Sequence, residues 1–149
     1  MQHALIAERK MTRRCQIVIS AVDYARLDPM IRDEVASRST SRELLCALKS
    51  KIDQARVLEP CDMPGDVVTM NSLVRVRDLD TEEVEAYTLV YPAFADITKG
   101  FLSILTPVGI ALLGHRQGEL VDGVSLLGPT HLRIERVEFQ PESAGQYDV

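Results

Sequence analysis

A helix start signal and a helix stop signal lie eight residues apart near the middle of the chain. Thr106 is a good N-cap, and Pro107 suits the first helical position, where its missing N–H costs nothing. Ile110, Ala111, Leu112 and Leu113 follow, and Gly114 stands where a left-handed stop is wanted. The helix so defined has about two turns. It is too short to stand alone, so the residues around it must supply the surface that it packs on.

Those residues read as strands. Val74 and Val76 alternate with Arg75 and Arg77, the period-2 pattern of a half-buried strand. Asp78-Leu79-Asp80-Thr81 is turn chemistry, and Val84, Ala86, Thr88 and Val90 form a second alternating set. An antiparallel hairpin is expected here. After the helix, 115–119 reads as a turn into a short strand. Gly123 and Gly128-Pro129 punctuate a loop, and His131 to Phe139 reads as a last strand whose phase switches near Arg136, as at a bulge.

The N-terminal part reads as helical. Cys15 to Ile19 is a short β-branched lead-in, and Ser20 with Asp23 fits a capping box. Tyr24, Leu27, Ile31 and Val35 recur at spacings of three and four, with Pro29 kinking one helix. Thr40 and Glu43 fit a second capping box. Leu44, Leu45, Leu48, Ile52 and Ala55 form the stripe of a second helix, roughly 25–27 Å long, that stops before Pro60. Two such helices joined over 36–39 make an antiparallel, coiled-coil-like hairpin. The expected organisation is a flexible tail over 1–14, the hairpin over 15–60 and a sheet domain over 61–149.

Charge and cysteine usage narrow the function. Residues 1–60 carry a net +3 and residues 61–149 a net −8. An acidic sheet domain is a poor match for a phosphate backbone and a good one for a basic protein surface. Arg9, Lys10, Arg13 and Arg14 are the only support for nucleic-acid contact, and a solvated tail explains them better. Cys15, Cys46 and Cys61 form no C-x-x-C pair, as expected of reduced thiols in the cytoplasm. His3, His115 and His131 have no metal-ligand spacing, so neither a metal nor another cofactor is expected. No apolar run approaches the ~18–20 residues of a membrane span, and the N-terminus lacks the apolar stretch of a secretory signal.

Three segments carry a resemblance: MPGDVVTMNS (Met63 to Ser72), TLVYP (Thr88 to Pro92) and TPVGIALLG (Thr106 to Gly114). With the tail from Gln140 to Tyr147, the chain over roughly 15–149 resembles the GreA/GreB transcript-cleavage factors in their C-terminal domain. It resembles still more the Rnk family, named for regulation of nucleoside diphosphate kinase. The resemblance implies an α+β protein, with the helical hairpin followed by an FKBP-like antiparallel sheet domain and one helix. It also implies a bacterial, cytoplasmic, non-enzymatic transcription regulator whose partner is RNA polymerase, at the rim of the secondary channel.

The docking candidates under this resemblance are Tyr91, Pro92, Leu105, Thr106, Pro107, Val108 and Gly109. Helix initiation alone also explains Thr106 and Pro107. In Gre factors, acidic residues at the hairpin tip help hold a catalytic metal. Here the tip 36–41 has no acid, and Asp33, Glu34, Arg38 and Glu43 are the nearby candidates. The expectation is therefore a regulator that competes with Gre-type factors without stimulating cleavage. The alternatives are a true cleavage factor using Asp33, Glu34 or Glu43, and, lower, a peptidyl-prolyl isomerase. The aromatics available for an isomerase pocket are four Tyr and three Phe, with no Trp.

Overall fold

In the computed structural model, residues 16–38, 40–125 and 128–146 are described. The expected tail 1–14 and Cys15 lie outside them. The described chain begins with β1 (Val18–Ser20), followed by helices α1 (Ala21–Ser37) and α2 (Arg42–Gln54) and by β2 (Arg56–Leu58). Then come β3 (Leu73–Asp78), β4 (Val84–Val90), β5 (Phe101–Ser103), α3 (Pro107–Leu112), β6 (Leu120–Ser125) and β7 (Gly128–Phe139). The protein is α+β.

The hairpin differs from the sequence expectation at both ends of α2. The N-cap is Ser41, without a side-chain bond, and the helix begins at Arg42. Thr40 does not close a capping box with Glu43. Its hydroxyl donates instead to Glu34 Oε2 of α1 at 2.7 Å. The helix then ends at Gln54, making it about 20 Å long. Arg56–Leu58 leaves the helical path because it pairs in parallel with Val18–Ser20. Tertiary pairing has overridden a helical pattern that extended to Ala55. By contrast, α1 runs unbroken through Pro29, and Ser20 caps it by accepting from Asp23 N at 3.0 Å.

The larger sheet has the order β5-β4-β3-β7-β6. Neighbours are antiparallel except β4 and β5, which run parallel. Val74 and Val76 face the core, as their alternation predicts. In β4 the inward phase is one residue out from the expected set. Tyr87 lies opposite Val74 and packs with Leu89 on the core, while Ala86 is exposed. Gly128-Pro129 belongs to β7 rather than to a loop, in the stretch where β7 pairs with β6 alone. Two register shifts between β3 and β7 flank Arg136 and are the source of its phase switch.

One apolar core joins hairpin and sheet. Leu27 and Ile31 of α1 and Leu45, Leu48 and Ile52 of α2 pack with Val74, Val76 and Leu89 of the sheet and with Ile110 and Leu112 of α3. Gly114 turns the chain out of α3 at φ +83°. A Cβ there would lie 2.2 Å from Ile17 Cγ2, so the close approach to β1 also requires glycine. The tail folds back on the entry to β3, where Gln140 Nε2 donates to the carbonyls of Pro64 and Val67, each at 2.7 Å. Among the described residues, no helix is long and apolar enough to cross a membrane.

Candidate docking site at the end of the β4–β5 pair

Because β4 and β5 are parallel, they finish at the same end of the sheet. Val90 is the register partner of Ser103, and Ile104 N donates to Val90 O at 2.9 Å. Tyr91-Pro92 leaves from β4 and Leu105-Thr106-Pro107 from β5. The structure thus brings together two segments that are a dozen residues apart in sequence. Pro92 starts a single 3-10 turn, Pro92–Phe94, and Pro107 starts α3.

Thr106 is fully occupied in starting that helix. Its hydroxyl accepts from Gly109 N at 3.0 Å and donates to Ser103 O at 2.8 Å. Ser103 Oγ accepts from Leu105 N at 3.0 Å. Gly109 is buried, and a Cβ on it would lie 2.4 Å from Ser103 O, so the first turn of α3 sits directly on the chain that feeds it. Leu105 and Val108 are half-buried against the core and Pro107 is exposed. Capping and packing account for Thr106 and Gly109, which leaves Pro107 as the open member of that segment.

Sequence reasoning missed the most exposed apolar groups of the β4–β5 connection. Phe94 is 68% and Ile97 63% exposed. Both sit in 3-10 turns between β4 and β5, outside any periodic element. The signal that could have found them is an aromatic in a proline-led loop with no face to bury it.

Behind Tyr91 lies a buried polar cluster. The Asp23 carboxylate, 3% exposed, accepts from Met70 N at 3.1 Å. Thr69 Oγ1 donates to Glu142 Oε1 at 2.7 Å and lies 2.8 Å from Ser72 Oγ. Burial, and then the charge of Glu142, push the Asp23 carboxyl up to about 7, against the pull of the Met70 N–H, Ser20 and Arg26. The Tyr91 hydroxyl is raised well above the ordinary phenol range by burial and next by Asp23. On the other helix, Lys51 Nζ donates to Ile110 O at 2.5 Å and to Ala111 O at 2.9 Å, capping the last turn of α3. Burial lowers Lys51 to about 7, with Glu119 opposing. Burial and then Lys51 lower His115 to about 4.

The tip candidates do not join this site. Asp33, Glu34 and Arg38 lie roughly 15–22 Å along α1 from Asp23. Arg38 ends α1 at φ 56°, with its N–H on Glu34 O at 3.0 Å. Glu34 is held by Thr40, Asp33 is exposed on α1, and Glu43 is exposed in the first turn of α2. Among the described residues, no group of three or more His, Cys, Asp or Glu is placed to hold a metal ion.

The family described as transcription elongation factor GreA/GreB, C-terminal, matches residues 63–139, the span that holds both candidate docking segments. Over 139 residues the chain is 40% identical to the regulator of nucleoside diphosphate kinase of Escherichia coli strain K12, spanning 90% of this chain and 97% of that protein. This chain belongs to that family. It is also 31% identical to the transcription elongation factor GreA of Azorhizobium caulinodans, over 82% of each chain. A solved structure of a GreA/GreB elongation factor from Nitrosomonas europaea superposes with a TM-score of 0.68 at 35% identity, covering 83% of this chain and 98% of that one. Family and fold together make the chain a transcription-factor-like regulator of a type found in bacteria.

Proposed function

We propose that the protein is a cytoplasmic, non-enzymatic regulator that binds RNA polymerase at the rim of the secondary channel. There it competes with Gre-type factors without stimulating transcript cleavage. Residues 61–149 are the anchor and residues 15–60 the arm. The observation that carries this reading is the convergence of Tyr91-Pro92 and Leu105 to Gly109 at one end of the sheet, flanked by exposed Phe94 in the 3-10 turn that Pro92 starts. Exposed aromatic and proline side chains on a rigid sheet end make a compact docking edge. The arm supports the second half. Its helices span only 17 and 13 residues, the bend 38–41 holds no acid, and Glu34 beside it is already bonded to Thr40. Gre-type cleavage needs carboxylates free to take a hard metal ion.

The test is binding of labelled protein to RNA polymerase core with GreA as unlabelled competitor, followed by a cleavage assay on a backtracked complex. Saturable binding that GreA displaces, with no stimulated cleavage, is the expected result. Absence of binding at both low and moderate salt removes the polymerase assignment. Stimulated cleavage that disappears in Asp33→Ala, Glu34→Ala or Glu43→Ala replaces it with a true cleavage factor.

A further inference from the structure

The outer face of the five-stranded sheet carries an arrangement that folding alone disfavours. In the β3–β7 register, Arg75 is the partner of Arg136 and Arg77 the partner of Arg133. Like charges directly opposite on one face are destabilising, and here two such pairs follow at successive positions. Each register shift leaves an extra glutamate on β7. Arg75 Nε donates to Glu138 Oε1 at 3.0 Å and Arg77 Nε to Glu135 Oε1 at 2.6 Å. The bulges thus neutralise the two β3 arginines. Arg133 and Arg136 are exposed and, among the described residues, have no carboxylate within ion-pair distance. Four of the six basic residues in 61–149 share this face, within a segment of net −8.

The neighbouring row on the same face is apolar. Leu73 pairs with both Thr88 and Phe139, and Thr88 pairs with Phe101. Phe101 and Phe139 are 37% and 39% exposed. One two-residue step, roughly 7 Å, separates this row from the first arginine pair. The docking edge does not use this face. Ile110 and Leu112 of α3 pack with Val76 and Ile134, whose side chains alternate to the opposite side of the sheet.

We propose that this face is a docking surface for an acidic protein segment, whose apolar residues seat on the Phe101–Leu73–Phe139 row and whose carboxylates pair with Arg133 and Arg136. A planar guanidinium takes a carboxylate through two parallel N–H bonds. A nucleic-acid strand fits less well. Glu135, Glu138 and Glu82 are paired with the neighbouring Arg75 and Arg77, and a continuous row of phosphates would meet those carboxylates as well. The partner is therefore a discrete carboxylate-bearing peptide, and the contact is independent of the polymerase-docking edge.

The test uses the full chain and two fluorescent probes: a short peptide alternating Glu with Leu and Phe, and a single-stranded RNA oligonucleotide. The variant is the double substitution Arg133→Gln, Arg136→Gln. Salt-sensitive peptide binding, weakened about tenfold or more in the variant, is expected, because a lost charged hydrogen bond is worth roughly 1.5–3 kcal/mol. The variant should also melt at or above the parent temperature, since both opposed pairs are relieved. No peptide binding, equal binding by the variant, or arginine-dependent binding of the RNA alone would each overturn the proposal. A clear fall in melting temperature would show that the arginine stems hold the sheet together, and would remove the argument from opposed charge.

Discussion

Replacing Asp23 with Asn removes one charge from the core and keeps the acceptor that Met70 N–H uses. In the unfolded chain the carboxyl titrates near 3.8, and in the folded protein near 7. Below pH 3.8 both states hold the proton, so Asp and Asn should be nearly equivalent. Between pH 3.8 and 7 the unfolded chain gives up its proton and the folded protein keeps it. The parent therefore loses stability as pH rises through this window, by up to ~1.4 kcal/mol per pH unit, and the loss levels off above pH 7. Over about three units the ceiling is roughly 4 kcal/mol. Asn does not titrate, so Asp23→Asn should come within about 1 kcal/mol of the parent at pH 4 and exceed it by roughly 2–4 kcal/mol at pH 8. Urea unfolding followed by circular dichroism across this pH range measures the difference directly. Glu142→Gln should shift the window to lower pH, because the Glu142 charge is the second cause of the high value. A difference that does not change with pH would refute the reasoning. So would one that favours the parent as pH rises, since Asp23 would then be ionised in the fold and stabilised as a charge.

Three further outcomes follow from the geometry. Gly109→Ala places a methyl 2.4 Å from Ser103 O and should cost about 1–3 kcal/mol in urea unfolding; an unchanged midpoint would mean that α3 does not sit on the β5 exit as described. Thr106→Ala removes both the cap to Gly109 N and the bond to Ser103 O, and should cost about 1 kcal/mol in the same assay. Lys51→Met should show a pH slope in a separate window. The folded Lys51 sheds its proton near 7 and the unfolded one near 10.5, so the parent gains stability as pH rises between them and the cost of Met grows from pH 7 towards 10. A cost that is flat over that range would place the Lys51 ammonium in water rather than on the α3 carbonyls.

Short-range chemistry was legible in the sequence. The N-cap at Thr106, the stop at Gly114, the Ser20 cap and the alternation of Val74 and Val76 each depend on neighbours within a few residues, and each stands in the structure. What was not legible depended on partners far along the chain. Arg56–Leu58 continues a helical pattern, yet it is a strand because Val18–Ser20 lies alongside it. Thr40 has the spacing of a capping box, yet its hydroxyl finds Glu34, six residues back across the bend. Val84, Ala86, Thr88 and Val90 alternate in β4, yet the core took the other phase, with Tyr87 and Leu89, whose partners on β3 and β5 lie far along the chain. At the candidate site, both segments were recognisable as words. Their meeting was not, because it needs the parallel pairing of β4 with a three-residue β5. The exposure of Phe94 and Ile97 was equally hidden, since an apolar residue in a loop gives no periodic signal.

The same distance effect explains why the hairpin meets the sheet through buried ionisable groups. Apolar contact between Leu27, Ile31, Leu48 and the sheet is strong but tolerant of small slides, because it has no direction. Asp23 and Lys51 are directional. One fixes the first turn of α1 to the Met70 N–H, and the other fixes α2 to the last carbonyls of α3. Buried charge of this kind seldom adds net stability, which is why Asn is expected to be tolerated at 23. Its contribution is position. α3 begins at the proposed docking edge and ends on Lys51, and the Met70 loop pairs with Leu89, one strand residue before the exit to Tyr91. Each helix of the hairpin is thus tied to a segment that leads directly to or from that edge. A hairpin held in this way points its tip in a fixed direction from whatever the edge is bound to, which a competitor that acts by occupying space requires.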